Sequence, residues 1–228
     1  VDTRQTLSVY TIDTYGMVTL PFGERTCIGG LSSVFDSFVT VYNRGSTSKV
    51  KLVVPEITNN KIAVFGSAFN PPSLGHLSVL QRLTHFDKVL LVPSIAHAWG
   101  KNMAAYEERC RWTQAFINDI GLDNVELCDA EKAIYRDGEP VTTWALLAFL
   151  SKRYSESELT FVLGPDNFLN FAKFYKAKEI TEKWSVLAAA ETVPVRSTMI
   201  RAALTSGESI KNLTTPSVAT LLTDYNFE

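Results

Sequence analysis

From Lys61 onward, short apolar runs take turns with amphipathic stretches, and this alternation constrains the fold more than any other feature of the chain. Segments 61–65, 88–92, 125–128, 159–163 and 185–189 read as buried strands. Segments 74–86, 106–120, 141–154, 197–206 and 215–223 read as helices. In the first helical segment Leu77, Val79, Leu80 and Leu83 fall on or near one stripe. In the second, Trp112, Ala115, Phe116 and Ile120 recur at three- and four-residue spacing. Gly207 stops the fourth helix. Strands and helices in this order predict an α/β domain, a Rossmann-like parallel sheet with helices on both faces. In such sheets ligands sit beyond the carboxyl ends of the strands, where the strand order switches. The loops after Phe65, Val92 and Leu163 are therefore where chemistry is expected.

Residues 1–59 differ in character. They are rich in Thr, Ser, Val, Tyr and Phe, with strand-like runs at 8–12, 17–20, 37–42 and 49–54 broken by glycines and by Asn43-Arg44-Gly45-Ser46. This predicts a small β-rich N-terminal extension of unassigned role, a linker at 55–60, and a second domain over 60–228. The formal net charge of −2 argues against a general nucleic-acid binder but leaves room for a local phosphate pocket. No apolar run nears the roughly 18 residues of a membrane span. Cys27, Cys110 and Cys128 are too far apart for a metal knuckle or redox motif, and His76, His85 and His97 form no metal pattern. Free thiols and no visible signal peptide place the chain in the cytoplasm. Because it opens on Val1 without an initiator Met, it reads as processed or trimmed.

The most informative stretch is Gly66-Ser67-Ala68-Phe69-Asn70-Pro71-Pro72-Ser73-Leu74-Gly75-His76, between a strand and a helix. Gly66 permits close approach of a ligand. The two prolines stiffen the loop. Ser73 suits the helix N-cap, so the first helical turn becomes an anion site to which His76 adds a donor. The stretch lacks both the Gly-Lys-Ser/Thr ending of a P-loop and the three-glycine dinucleotide fingerprint. A second anion site is expected where Ser197 or Thr198 caps a helix and Arg201 stands one turn on, able to fork onto phosphate oxygens. After the strand 159–163, Gly164 followed by Asp166 suits a ribose contact.

These segments resemble the signatures of the HxGH nucleotidylyltransferase superfamily, in particular its nicotinamide/nicotinate mononucleotide adenylyltransferases. Gly66, Phe69, Asn70, Pro71, Gly75 and His76 match the first signature. Ser73 departs from it, standing where bacterial nicotinate enzymes usually carry His and eukaryotic nicotinamide enzymes Thr. Arg196-Ser197-Thr198-Met199-Ile200-Arg201 is similar to the phosphate-binding motif, with Arg196 in place of its first Ser. Gly164-Pro165-Asp166 resembles the Gly-x-Asp motif, whose Asp binds the ATP ribose. Phe174 falls where the family places a Trp that stacks on the pyridine ring. Lys101 sits in a Pro…Ala-Trp-Gly-Lys stretch similar to one in nicotinamide-nucleotide enzymes, whose Lys contacts nucleotide phosphates. Thr143, with Trp144, matches the segment that recognises the pyridine substituent. The resemblance covers about 61–226.

The resemblance implies adenylyl transfer from ATP, as its Mg²⁺ complex, to a pyridine mononucleotide. His76, Ser73, Lys101 and Arg201 would act on the phosphates. Gly66, Ser67, Phe69, Gly75, Gly164, Asp166, Ser197 and Thr198 would join His76 and Arg201 around ATP. Ser67, Ala68, Lys101, Thr143, Trp144 and Phe174 would line the mononucleotide site. No protein metal ligand, nucleic acid or membrane is expected, and a homo-oligomer is allowed. Ser73 and the stretch ending at Lys101 lean towards nicotinamide or dual use. Two other readings stay open: another small-molecule nucleotidylyltransferase, for example of phosphopantetheine type, and a non-catalytic nucleotide-binding regulator with residues 1–59 as its sensing module.

Overall fold

A computed structural model describes residues 11–12, 17–19, 25–27, 38–43, 46–51, 60–96, 103–136, 138–223 and 225–227. The chain divides into two units, Val1–Ile57 and Thr58–Glu228. In the first, β1 (Thr11–Ile12), β2 (Met17–Thr19) and β3 (Arg25–Cys27) form an antiparallel sheet, and β4 (Phe38–Asn43) pairs with β5 (Ser46–Lys51). Asn43 pairs with Ser46, at the break the sequence marks. The strand Arg25–Cys27 is not evident from the sequence pattern.

The second unit is built on β6 (Asn60–Ser67), β7 (Lys88–Pro93), β8 (Val125–Leu127), β9 (Ser157–Leu163) and β10 (Ser185–Ala188). They form one parallel sheet in the order β10-β9-β6-β7-β8. The chain thus starts in the centre, moves out one way, and returns to build the other side. The order switches between β6 and β9, which opens a crevice beyond their carboxyl ends.

Period-two alternation divides the core. Ala63, Phe65, Val89, Leu91 and Val162 face one side, and Ile62, Val64, Leu90, Val92, Phe161 and Leu163 face the other. The first face is covered by α1 (Leu74–Leu80), α2 (Tyr106–Ile120), α7 (Ser197–Ser206) and α8 (Pro216–Leu222). Trp112 of α2 is fully buried there, edge-on to Tyr225 at 4.8 Å between ring centroids. The second face is covered by α3 (Ala130–Ile134), α4 (Thr143–Arg153) and α6 (Ala177–Lys183). A short α5 (Pro165–Asn170) and a 3-10 turn (Phe171–Lys173) follow β9.

Three differences from the sequence expectation have physical causes. The first helix ends at Leu80, six residues early. Leu77, Leu80 and Leu83 repeat every three residues, and the chain there closes i to i−3 bonds, Arg82 to Val79 and Leu83 to Leu80, with Leu83 still buried. α4 starts at Thr143 because Thr142 is its N-cap, its Oγ1 accepting from Ala145 N at 3.2 Å. α3, α5 and α6 are five to seven residues long, too short for a periodic signal.

Candidate active site

The loop after β6 is folded against α7, from the far end of the chain. Arg201 donates to Asn70 O at 2.6 Å, and Ser197 Oγ donates to Pro71 O at 2.6 Å. Thr214 Oγ1 donates to Pro72 O at 2.8 Å, and Leu74 N to Leu213 O at 2.9 Å. Four residues of this stretch, Asn70, Pro71, Pro72 and Leu74, are thus clasped by residues near the C-terminus. The Asn70–Pro71 peptide is cis. Each carbonyl here lies before or beside a proline, outside any regular ladder, so side-chain donors take the place of backbone partners.

His76 is held by Ser73. The Ser73 backbone N–H donates to His76 Nδ1 at 3.0 Å, with the imidazole in the place that Glu or Gln takes in a capping box. Ser73 Oγ lies 2.9 Å from the same nitrogen and donates its proton to Val195 O at 2.9 Å. Nδ1 is therefore an acceptor, and hydrogen-bond geometry assigns the ring proton to Nε2, which lies 3.2 Å from Ser67 Oγ. Burial, and secondarily the positive charge of Arg196, pull the His76 pKa from 6.5 down to about 4. Near neutral pH the ring is an uncharged, oriented donor. Phe69 supports it from below, with ring centroids 4.9 Å apart.

Two expected contacts look different in space. Ser73 is 1% exposed with its hydroxyl proton committed to Val195, so it reaches a ligand through His76 and not directly. Phe69, expected at ATP, is fully buried between Phe65 and His76, which leaves its ring no surface for a nucleotide. The glycines also separate. A Cβ on Gly75 would collide with Val195 O and the Glu191 carboxylate, so packing requires a glycine there. A Cβ on Gly66 would meet only Val92 O at 4.0 Å, and one on Gly164 would meet nothing within 4 Å. At those two positions the protein itself does not demand glycine, which fits close approach of a ligand.

Arg196, the departure from the phosphate motif, is the N-cap residue of α7 and pairs with Glu191 at 3.0 Å. Thr198 is exposed in the first turn of α7, whose leading N–H groups have no preceding carbonyl within the helix. Burial lowers the pKa of Arg201. On the other face, Thr143 opens α4, and the Trp144 ring has Lys176 Nζ at 4.6 Å and Lys183 Nζ at 5.4 Å from its centroid. Trp144 Nε1 is buried with no partner among the described residues. Phe174 is half-buried against Phe171 and Phe161, with centroids 5.4 and 6.4 Å away. Among the described residues no hydrogen bond or ring contact joins Thr143, Trp144 or Phe174 to the His76 group. Lys101 lies outside the described residues, as does the Asp166 side chain. Among the described residues no cluster of three or more His, Cys, Asp or Glu could hold a metal ion, and no helix is long and apolar enough to cross a membrane.

Sequence reasoning missed Arg109 and Glu131. Arg109 is 1% exposed, and its guanidinium donates to Ala104 O at 2.9 Å, Ala68 O at 2.8 Å and Ile95 O at 3.4 Å. Glu131 is 6% exposed and accepts from Ile95 N at 2.8 Å. Burial pushes the Glu131 carboxyl up to about 7, against the pull of that N–H and of Arg109. A signal for Arg109 existed: with Trp112 and Phe116 it shares the apolar stripe of α2 at i, i+3 and i+7. Glu131, in a helix of five residues, left none.

A five-stranded parallel sheet whose order reverses beside the central strand, with a helix N-terminus and a fixed imidazole at the switch, defines a Rossmann-like nucleotide-binding domain. The chain belongs to the cytidylyltransferase-like family, whose sequence profile matches residues 64–203. It is similar to a Vibrio parahaemolyticus protein whose crystal structure carries the provisional name nicotinate-nucleotide adenylyltransferase, with 55% identity, a TM-score of 0.65, and coverage of 72% of this chain and 98% of that one. A Lactiplantibacillus plantarum protein, also provisionally named nicotinate-nucleotide adenylyltransferase, is 24% identical over 206 residues, 81% of this chain and 95% of that protein. A Nitratiruptor protein of the same provisional name is 28% identical over 125 residues, 53% of this chain and 68% of that protein. The fold is shared with the nicotinic acid mononucleotide adenylyltransferase of Plasmodium falciparum, at a TM-score of 0.60 and 16% identity over 74% of this chain and all of that one.

Proposed function

We propose that residues 60–228 transfer the adenylyl group of ATP to nicotinate mononucleotide, giving the deamido form of NAD and pyrophosphate. The observation that carries this is His76, a neutral Nε2–H donor fixed by the Ser73 N–H and set beside a loop clasped by Ser197 and Arg201. The family and the names of its relatives support the reaction. The relatives' names also favour nicotinate over the nicotinamide lean of the sequence. Lys176, which pairs with Glu179 at 3.1 Å, and Lys183 set two ammonium groups beside Trp144, on the side where the pyridine is proposed to sit.

An oxygen of the mononucleotide phosphate bonds to the α-phosphorus of ATP, and the bond from that phosphorus to the bridging β-oxygen breaks. A phosphate monoester, with a second pKa of about 6, is already ionised near neutral pH, so no general base is needed. Catalysis is positioning and charge stabilisation. His76 donates from Nε2 to the α-phosphate, and Ser73 keeps that tautomer. Arg201 and the first turn of α7, with Ser197 and Thr198, receive the outer phosphates, and Lys101 adds a point charge. Gly66, Ser67 and Ala68 let the nucleotides approach β6, while Gly164 and Asp166 take the ATP ribose side. Thr143, Trp144 and Phe174 face the pyridine. Mg²⁺ would come as part of the ATP substrate, where it would offset negative charge on the phosphates. The ATP supply makes the cytoplasm the natural setting.

The test is pyrophosphate release from ATP and Mg²⁺, with nicotinate mononucleotide, nicotinamide mononucleotide and phosphopantetheine in parallel. The highest kcat/KM is expected with nicotinate mononucleotide, with a dinucleotide product by mass. Turnover with phosphopantetheine alone, or ATP binding with no turnover on any acceptor, would overturn the reading.

A further inference from the structure

Arg109 and Glu131 are two buried, ionisable side chains that the reaction above does not use. Burying a charge is costly unless it is well satisfied, and apolar replacements are often as stable. What sets this pair apart is where the hydrogen bonds go. Arg109 reaches three carbonyls on three separate segments: Ala68 after β6, Ile95 after β7, and Ala104 just before α2. Glu131, from α3, takes the N–H of Ile95. Ile95 is therefore held on both sides, its N–H by a carboxyl oxygen and its C=O by a guanidinium. Asn70 joins the same arrangement, its Oδ1 accepting from Ala104 N at 3.2 Å while its carbonyl accepts from Arg201. Ala68 lies between Ser67, which stands 3.2 Å from His76 Nε2, and Phe69, which packs on the His76 ring and has a left-handed φ of 43°.

We infer that Arg109 and Glu131 are positioning residues for adenylyl transfer: together they fix the backbones that leave β6 and β7, so the β6 loop meets nucleotides already in its reactive shape. Neither touches substrate. Arg109 acts through Ala68 and Ala104, and Glu131 through Ile95. The inference rests on the proposed reaction, but the fixed backbone it describes has its own readout. A planar guanidinium can serve three carbonyls at once, and a lysine ammonium cannot reproduce that fork. A misplacement of about 1 Å in such a loop can cost about a hundredfold in rate.

The experiment compares Arg109→Lys, Glu131→Ala and Glu131→Gln with Leu150→Ala. Leu150 is a fully buried core residue on the face away from α2, and its side chain takes no part in the hydrogen bonds that hold Ala68, Ile95 and Ala104, so its loss reads stability apart from those bonds. Each variant is assayed well below its melting temperature, and amide hydrogen exchange is followed in ligand-free protein over 66–70 and 94–96. The expected result for Arg109→Lys and Glu131→Ala is a kcat lowered at least tenfold, with faster exchange in both segments. Glu131→Gln, which still offers an oxygen to Ile95, recovers most of the activity. Leu150→Ala keeps kcat despite a comparable loss of melting temperature. Wild-type kcat and unchanged exchange in both Arg109→Lys and Glu131→Ala would overturn the inference. Should Arg109→Lys fail to fold, the two Glu131 variants decide the matter alone. An inactive wild type with faster exchange in the variants would sink the proposed reaction and leave the fixed backbone standing.

Discussion

The two faces of the parallel sheet are made differently. On the α1/α7 side, backbone carbonyls of 70–72 are tied by Arg201, Ser197 and Thr214, and His76 is oriented by its own N-cap. On the α4/α6 side, Trp144, Phe171 and Phe174 make ring and cation contacts with no hydrogen bond on the Trp144 indole among the described residues. The first arrangement is directional and stiff, as suits charge that develops at one phosphorus. The second is broad and forgiving, as suits holding a flat ring. The difference predicts that substitutions on the first side act on kcat and those on the second act on KM.

The strongest way to break that division is to remove a donor. His76→Ala and Arg201→Ala should each lower kcat by about a hundredfold or more, the usual cost of one transition-state donor, in steady-state assays of folded protein. An effect confined to KM would erase the distinction. Next come the glycines. Gly75→Ala should destabilise the fold by roughly 1–3 kcal/mol in denaturant titrations, because Val195 and Glu191 have to move. Gly66→Ala should leave stability nearly unchanged, since the added methyl meets only Val92 O at 4.0 Å, and should reduce activity if nucleotides approach β6 as proposed.

Stability against pH sharpens the contrast between His76 and Glu131. His76 falls from 6.5 to about 4 on folding, so the unfolded chain binds the extra proton and stability rises with pH across that window. Glu131 rises from 4.5 to about 7, so the folded chain binds the extra proton and stability falls with pH across its window. At 1.36 kcal/mol per unit each contributes up to about 3 kcal/mol, and the two nearly cancel. Chemical unfolding from pH 4 to 7 should therefore show little slope from these groups in the wild type. Glu131→Gln should show a rising slope and His76→Gln a falling one. The smallest effect belongs to the aromatic side: Phe174→Ala should raise KM for the mononucleotide about tenfold and leave kcat and the KM for ATP nearly unchanged.

Much of this was legible in the residues, for reasons that can be named. The strands of the sheet are apolar runs bounded by polar turns, and α2 and α7 end on Gly121 and Gly207, both with the left-handed φ that stops a helix. The Gly66–His76 stretch marks its own site because Pro, Gly and His crowd a strand-to-helix turn. What stayed hidden is three-dimensional. That Ser73 turns its hydroxyl to Val195, and that Gly75 is reserved for backbone contact, depends on a segment about 120 residues away in sequence. Arg109 advertised itself only as a charge on an apolar stripe, and Glu131 not at all.

The proposed chemistry requires His76 to be a neutral donor with its proton on Nε2. Nitrogen-15 NMR of the imidazoles reads this directly, and with three histidines in the chain a His76→Ala spectrum assigns the signal. The prediction is an Nε2–H tautomer that persists from pH 8 down through 5.5, with titration near 4. A His76 that carries its proton on Nδ1, or that becomes imidazolium above pH 6, would contradict that role.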